Sequence, residues 1–145
     1  MPAAEIDLWA RPRPIEMRPL DDRNEFAPEP MPPLQRCWMR VAGPMPDDER
    51  LHQCALAYLS DWSLLDTCIW PHGVSWMGND LQTASLDHAM WFHRPFRTDE
   101  WLLYVQDSPA AGGARGFNRG LIYTRDGTLV ASVAQEGLIR LRRPD

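Results

Sequence analysis

The chain has 145 residues, of which 44% are hydrophobic and 24% are charged, and its formal net charge is −5. These values predict one globular domain with a core of its own, and the negative charge argues against nucleic acid as the main partner. No run approaches the roughly 18 apolar residues that a membrane span requires, and residues 1–20 lack the apolar segment of a secretory signal. We therefore expect no membrane partner and a cytoplasmic location.

Three cysteines, Cys37, Cys54 and Cys68, are odd in number and widely spaced. They form no C-x-x-C motif, so the sequence indicates neither a disulfide framework nor a zinc knuckle. Free cysteine packs as a small hydrophobic residue, and we predict buried free thiols in a reducing compartment.

Proline dominates the first part of the chain, with ten of the fourteen prolines in the first 46 residues. Proline lacks a backbone donor, so this part cannot hold a long helix or a central strand. Two short strands fit between the prolines, over residues 14–18 and 36–41. The sequence thus predicts a proline-rich lead-in with one short strand over residues 1–33, and the main domain over residues 34–145.

A helix is predicted over residues 47–62. Asp47, Asp48 and Glu49 occupy its first turn, where carboxylates oppose the positive end of the helix dipole. Asp61 falls near the other end, at the edge of an apolar stripe with helical spacing. We expect this stripe to face the core; its members are Leu51, Cys54, Ala55, Tyr58, Leu59 and Trp62.

After a tryptophan-rich connector over residues 64–78, the chain has the pattern of an antiparallel β-meander. Four strands are predicted, over residues 83–93, 101–107, 115–124 and 129–141. A looser turn is expected at residues 109–113. A tight hairpin is expected at residues 125–127, because glycine tolerates positive φ.

Two of these strands carry polar residues within apolar patterns. In the strand over residues 83–93, alternation places Ser85 and His93 on one face and His88 on the other. The two histidines then point apart unless a bulge intervenes, so no shared metal is expected. In the last strand Gln135 lies on an otherwise apolar face, where a buried amide needs a hydrogen-bonding partner.

Several motifs together resemble the C-terminal hotdog of type II acyl-CoA thioesterases, the TesB-like family. They are S-L-D-H-A-M-W-F-H-R-P-F, D-E-W-L-L-Y, A-R-G-F-N-R-G and T-R-D-G-T-L-V-A-S-V-A-Q-E-G, with P-D-D-E-R-L-H-Q and L-S-D-W-S-L-L upstream. Their order and spacing match over residues 34–142. The resemblance implies an α+β fold: a single hotdog, in which a curved antiparallel β-sheet wraps around one central α-helix.

The resemblance also implies an activity, the hydrolysis of acyl-CoA thioesters to free fatty acid and coenzyme A. The family's catalytic carboxylate, hydroxyl and amide fall on Asp61, Ser85 and Gln135, which would orient and activate a water molecule. Ser85 stands where many members have threonine, and it keeps the hydroxyl but lacks the methyl group. Coenzyme A is part of the substrate, so no separate cofactor and no metal are predicted.

Arginine suits bidentate contacts with phosphate groups. The candidates for binding the phosphates of coenzyme A are Arg94, Arg115 and Arg119.

Members of the family typically carry two hotdogs in tandem, whereas this chain has the motifs of one. We expect a homodimer or higher oligomer, or a separate subunit with an N-terminal-type hotdog, unless the chain is a fragment. Two other functions stay open: a non-catalytic acyl-CoA-binding or partner subunit, and a hotdog dehydratase that would recruit His72 or His88. The dehydratase ranks last because no motif of that class is present.

Overall fold

The computed structural model describes residues 13–77 and 81–141. Within them, seven antiparallel strands form one curved sheet, and one α-helix packs against its inner face. The strands are β1 (Ile15–Pro19), β2 (Leu34–Val41), β3 (Leu81–Ser85), β4 (Ala89–Phe92), β5 (Leu102–Gly112), β6 (Arg115–Tyr123) and β7 (Leu129–Leu141), and the helix is α1 (Glu49–Asp61). The order in the sheet is β1-β2-β5-β6-β7-β3, with β4 paired to β7 beside β3. The predicted sheet curved around one helix is confirmed.

The proline-rich lead-in contributes its short strand to the same sheet. β1 pairs with β2 along its whole length, from Ile15 opposite Val41 to Pro19 opposite Cys37. The boundary between residues 33 and 34 stays a prediction, and residues 1–12, 78–80 and 142–145 lie outside the described residues. No helix in the described part of the chain is long and apolar enough to cross a bilayer.

Helix α1 begins where the proline-rich part ends, as predicted. Asp48 caps it: Oδ1 of this residue accepts the backbone N–H of Arg50 at 2.9 Å. The predicted inward stripe, however, is wrong. The buried residues of the helix are His52, Leu56, Leu59 and Ser60, so Leu59 alone of the stripe is fully buried. The exposed stripe residues are Leu51 (43%), Tyr58 (60%), Trp62 (48%) and Cys54.

The inner face of α1 tolerates two polar residues because both have hydrogen-bonding partners. The Thr98 backbone N–H donates to Nδ1 of His52 at 3.1 Å, near the start of the helix. At the other end, Oγ of Ser60 lies 3.1 Å from Nε2 of His88. A buried polar atom costs little once it is paired, so Ser60 and the Nδ1 side of His52 can face the core, whereas Nε2 of His52 has no partner among the described residues.

The core lies between α1 and the sheet. Leu56 and Leu59 pack against inward side chains of four strands, β2, β5, β6 and β7, namely Cys37, Met39, Leu102, Tyr104, Ile122, Val130, Ala131 and Val133. Two 3₁₀ helices, Leu64–Cys68 and Trp70–His72, follow α1 and form a second cluster with Ile139 and Leu81. Cys37 and Cys68 are buried free thiols as predicted, but Cys54 is exposed because the helix is rotated from the expected face.

Two glycines bring the connector directly onto the sheet. A Cβ on Gly137 would lie 2.1 Å from a methyl carbon of Leu65, and a Cβ on Gly116 would lie 2.3 Å from Sγ of Cys68. Gly116 and Gly137 are paired across β6 and β7. Any larger residue would therefore push the first 3₁₀ helix, and the end of α1 before it, away from β7.

The strand predicted over residues 83–93 is two strands, β3 and β4, separated by a bulge. Ser85 pairs with Gly137 and Ala89 with Ala134. The chain therefore advances four residues between these pairs on the β3–β4 side but only three on β7. The backbone N–H groups of Leu86 and Asp87 both donate to the Glu136 carbonyl, at 2.9 and 3.4 Å. This is the geometry of a β-bulge. The Asp87 carboxylate completes it by accepting the Glu136 N–H at 2.7 Å.

One predicted turn is also displaced. β5 continues through Gly112, and the chain reverses at Gly113 and Ala114, whose φ angles are 58° and 60°. The expected turn over residues 109–113 is therefore wrong in position, because the strand resumes after a register shift between Asp107 and Ala110. The other hairpin is as predicted, with Gly127 at φ 87°.

Candidate active site

A cleft of about 380 Å³ opens between the C-terminal half of α1 and the bulge that joins β3 to β4. Its volume lies at the lower end of the range for small-molecule pockets. The lining residues come from the helix, the bulge and β7. They are Ala57, Tyr58, Asp61, Ser85, Leu86, Asp87, His88 and Gln135. The structure therefore brings Asp61, Ser85 and Gln135, which are far apart in sequence, to one cleft.

Asp61 and Gln135 are directly bonded. Nε2 of Gln135 donates to Oδ1 of Asp61. The Gln135 side chain is fully buried, whereas Asp61 is exposed at the mouth of the cleft. Because a carboxylate only accepts hydrogen bonds, the NH₂ end of the Gln135 amide must be the end that faces Asp61. The second oxygen of Asp61 has no hydrogen bond to another described residue.

Ser85 is the last residue of β3, and it pairs with Gly137, which faces inward two residues beyond Gln135. The strand ends here because the bulge begins at the next residue. The Ser85 hydroxyl makes no hydrogen bond to another described residue, and it lines the cleft. It is therefore free to hold a water molecule or a substrate oxygen.

His88 also lines the cleft. Strict alternation assigned it to the face opposite Ser85, but the extra residue of the bulge turns both side chains into the same cleft. Oγ of Ser60 donates to the Ala57 carbonyl at 3.0 Å and can accept a hydrogen bond from Nε2 of His88. Asp87 was the available signal, because aspartate is disfavoured inside a regular strand.

Tyr104, on β5, holds the C-terminal end of α1 through a hydrogen bond. Its hydroxyl donates to the Ser60 carbonyl at 3.0 Å, and burial raises the pKa of the phenol well above its ordinary value. The neutral phenol thus remains a donor to a backbone carbonyl of the last helical turn. Asp61 follows Ser60 directly, so this bond also limits the movement of the carboxylate.

The structure does not bring the three candidate arginines into the cleft. Arg119 pairs with Asp107, and Nε of Arg115 lies 3.7 Å from Glu136. Both arginines alternate with buried residues of β6 and project from the outer face of the sheet. Arg94 donates to the Leu129 carbonyl at 2.8 Å. Their role toward coenzyme A stays a prediction. Within the described residues, no group of three or more potential metal ligands forms a metal site.

An antiparallel sheet curved around one helix, with a polar cleft beside the helix end, defines a hotdog protein. A solved structure with the hotdog fold, a conserved protein from Alicyclobacillus acidocaldarius, has a TM-score of 0.67. It covers 91% of this chain and 47% of its own, at 18% identity, and supports the fold alone.

The chain belongs to the acyl-CoA thioesterase family, whose model matches residues 6–138. It is 40% identical over 142 residues to human acyl-coenzyme A thioesterase 8. The aligned region covers 97% of this chain and 44% of the human protein. An acyl-CoA thioesterase II from Mycobacterium marinum is 47% identical with a TM-score of 0.75, covering 91% of this chain and 55% of that chain. The predicted resemblance to the TesB-like family is confirmed. The chain spans about half the length of these relatives.

Proposed function

We propose that this chain hydrolyses acyl-CoA thioesters with a water molecule held by Asp61, Ser85 and Gln135. The observation that carries the proposal is the hydrogen bond from Gln135 to Asp61 at the cleft that Ser85 also lines. Human acyl-coenzyme A thioesterase 8 and the mycobacterial thioesterase bear names that describe this reaction. A carboxylate, a hydroxyl and an amide around one cleft suit an attack by water on a carbonyl carbon.

In the proposed reaction, Gln135 holds one oxygen of Asp61, and the other oxygen accepts a proton from the water. The water oxygen bonds to the thioester carbonyl carbon while Ser85 keeps that water in line. The carbon–sulfur bond then breaks, and Asp61 returns the proton to the thiolate of coenzyme A. The products are a free fatty acid and coenzyme A. No residue changes covalently, and the cycle needs no separate cofactor.

A second hotdog is proposed as the partner, either another copy of this chain or a separate subunit. The outer face of α1 exposes Leu51, Tyr58 and Trp62, and the edge strand β4 exposes Trp91 at 54% and Phe92 at 40%. An unpaired edge strand beside exposed aromatic residues favours association.

We further propose a cytoplasmic location, because Cys37, Cys54 and Cys68 are free thiols and reducing compartments preserve these.

Thiol release from purified protein tests the activity, with acyl-CoA substrates of several chain lengths. Asp61→Asn keeps the shape of the side chain but removes the base, so we expect kcat to fall by about 100-fold or more with an unchanged fold. The matched control is Asp47→Asn, the same substitution at the opposite end of the helix, where the side chain is fully exposed. It should leave kcat within about twofold of the wild type.

Unchanged turnover in Asp61→Asn would contradict the role of Asp61. Binding of acyl-CoA by the wild-type chain without thiol release, by itself and with a hotdog partner, would favour the alternative function, a non-catalytic acyl-CoA-binding subunit.

A further inference from the structure

The hydrogen bond to Asp61 accounts for only one end of the Gln135 amide, the Nε2 end. Since Nε2 faces Asp61, Oε1 must point the other way, into the sheet. This oxygen is buried and has no hydrogen bond to any described residue. An amide can rotate by half a turn, and the reversed amide would present oxygen to the Asp61 carboxylate. The orientation therefore needs a donor that faces Oε1.

Asn118 is the residue that is placed to supply this donor. It lies on β6 directly opposite Gln135 on β7, and both side chains are fully buried on the inner face of the sheet. Directly opposed residues have Cβ atoms about 4.5–5.5 Å apart, which two amide side chains can bridge. Neither Nδ2 nor Oδ1 of Asn118 has a hydrogen bond among the described residues. Three unpaired buried amide atoms thus belong to one directly opposed residue pair of β6 and β7.

The nearby thiol is a poor alternative partner for Asn118. Cys68 lies beside the amide, but its S–H donates to the Leu65 carbonyl at 3.1 Å. Its sulfur is only a weak acceptor. The next inward amide, Gln106 on β5, is engaged with Ser63 and Thr67. Gln135 Oε1 is therefore the acceptor on the directly opposed residue that lacks another partner among the described residues.

We propose that Asn118 is a positioning residue for Gln135. In the proposed arrangement the Asn118 side chain turns toward β7, and its Nδ2–H then donates to Oε1 of Gln135 and keeps the NH₂ end of Gln135 on Asp61. The inference rests on the proposed thioester hydrolysis, in which Asp61 is the base. Asn118 touches neither the water nor the thioester and acts only by fixing the orientation of its neighbour.

Asn118→Leu tests the proposal, because leucine has a similar volume and no donor. We expect kcat to fall by about tenfold, the effect of one lost hydrogen bond, while KM stays within about twofold. The decisive measurement combines this variant with Gln135→Ala. If Asn118 acts through Gln135, Asn118→Leu will change kcat by less than about twofold once Gln135 is alanine.

A second variant at position 118 replaces the donor of Asn118 with acceptors. Asn118→Asp offers only acceptors to Oε1 of Gln135, so it favours the reversed amide. The kcat of this variant should fall further than that of Asn118→Leu. Should the leucine variant not fold, Asn118→Ala replaces it in the same double-mutant comparison.

Gln106→Leu is the matched structural control, since it removes an inward amide one strand away. This change leaves the Ser63 hydroxyl without its partner, so it lowers the melting temperature but keeps kcat within about twofold.

Equal effects of Asn118→Leu in the wild-type and Gln135→Ala backgrounds would overturn the proposal, as would a change in KM alone. These outcomes are distinct from failure of the proposed function, in which the wild-type chain would release no thiol at all.

Discussion

Both faces of α1 mix polar and apolar residues, but only the inner face is packed. The inner face buries His52 and Ser60 together with Leu56 and Leu59. The outer face carries Leu51, Cys54, Tyr58 and Trp62, all exposed. The exposed surface of the helix also includes Glu49, Arg50 and Asp61. The inner face accommodates its two polar residues because His52 bonds to Thr98, in the turn before β5, and Ser60 lies within hydrogen-bonding distance of His88, in the bulge.

This difference explains how the helix serves the cleft. Two polar anchors, one near each end, fix both the rotation and the height of α1 over the sheet. Asp61 follows the second anchor and is thereby held where Gln135 reaches it. On the outer face the guanidinium of Arg13 lies 5.9 Å from the ring centre of Trp62, and the exposed apolar residues there form the surface that we propose for contact with another hotdog. Tyr58 and Asp61 of this helix line the cleft, and Leu51 lies on the surface proposed for contact with a second hotdog.

The largest expected effect comes from replacing matched leucines on the two faces. Leu56→Ala should lower the free energy of unfolding by about 2–5 kcal/mol, because it opens a cavity in the core. Leu51→Ala, in the same helix but 43% exposed, should cost less than about 1 kcal/mol. Urea denaturation of the two variants measures the difference. Equal losses would mean that the outer face is as well packed as the inner one.

The connector over residues 64–78 contains a partly buried carboxylate, that of Asp66. Burial raises the pKa of Asp66 to about 7, although the Trp76 indole N–H donates to it. The folded pKa exceeds the unfolded value of about 3.9, so the protonated form stabilises the native state. This stability is present below about pH 4 and is lost as the pH rises through 7.

Asp66→Asn keeps the acceptor for Trp76 and cannot ionise. At pH 8 it should be more stable than the wild type by about 1–2 kcal/mol, and the gap should close toward pH 4. Urea midpoints measured across this range check the sign, and a gap independent of pH would contradict it.

Ser60→Ala tests the contact between the inner face of α1 and His88. The variant removes the partner of His88, and we expect a loss of about 1 kcal/mol in the free energy of unfolding. Ser132→Ala is the matched control, because Ser132 pairs with the exposed His93 on the outer side of the sheet at 2.8 Å. It should cost less than about 0.5 kcal/mol. The reverse ranking would show that the inward pair does not anchor α1.

The smallest effect on folding is expected from Leu51→Lys on the outer face. Lysine at an exposed helical position should change the free energy of unfolding of a single chain by about 0.5 kcal/mol or less. The same charge should weaken association with a second hotdog, because it introduces a polar group into an apolar contact. Sedimentation velocity separates the two effects. Unaltered association would place the contact elsewhere.

Much of the fold and the candidate site could be predicted from local pattern. The bounds of β7, the start of α1 and the turn at Gly127 follow from alternation, capping and glycine content, which act within a few residues. Gln135 was conspicuous for the same reason, since a single amide interrupted an apolar face. The rotation of α1 was mispredicted because helical spacing measures hydrophobicity but not the availability of hydrogen-bonding partners.

The sequence by itself predicted the residues of the candidate site: a carboxylate at a helix end, a hydroxyl at the start of a motif and an amide in the last strand. Only the tertiary structure decided which of them meet. The bulge at Leu86 and Asp87 turns His88 into the cleft, and the pairing of β6 with β7 sets Asn118 opposite Gln135. Both depend on backbone hydrogen bonds between segments distant in the chain, whose register no local pattern encodes.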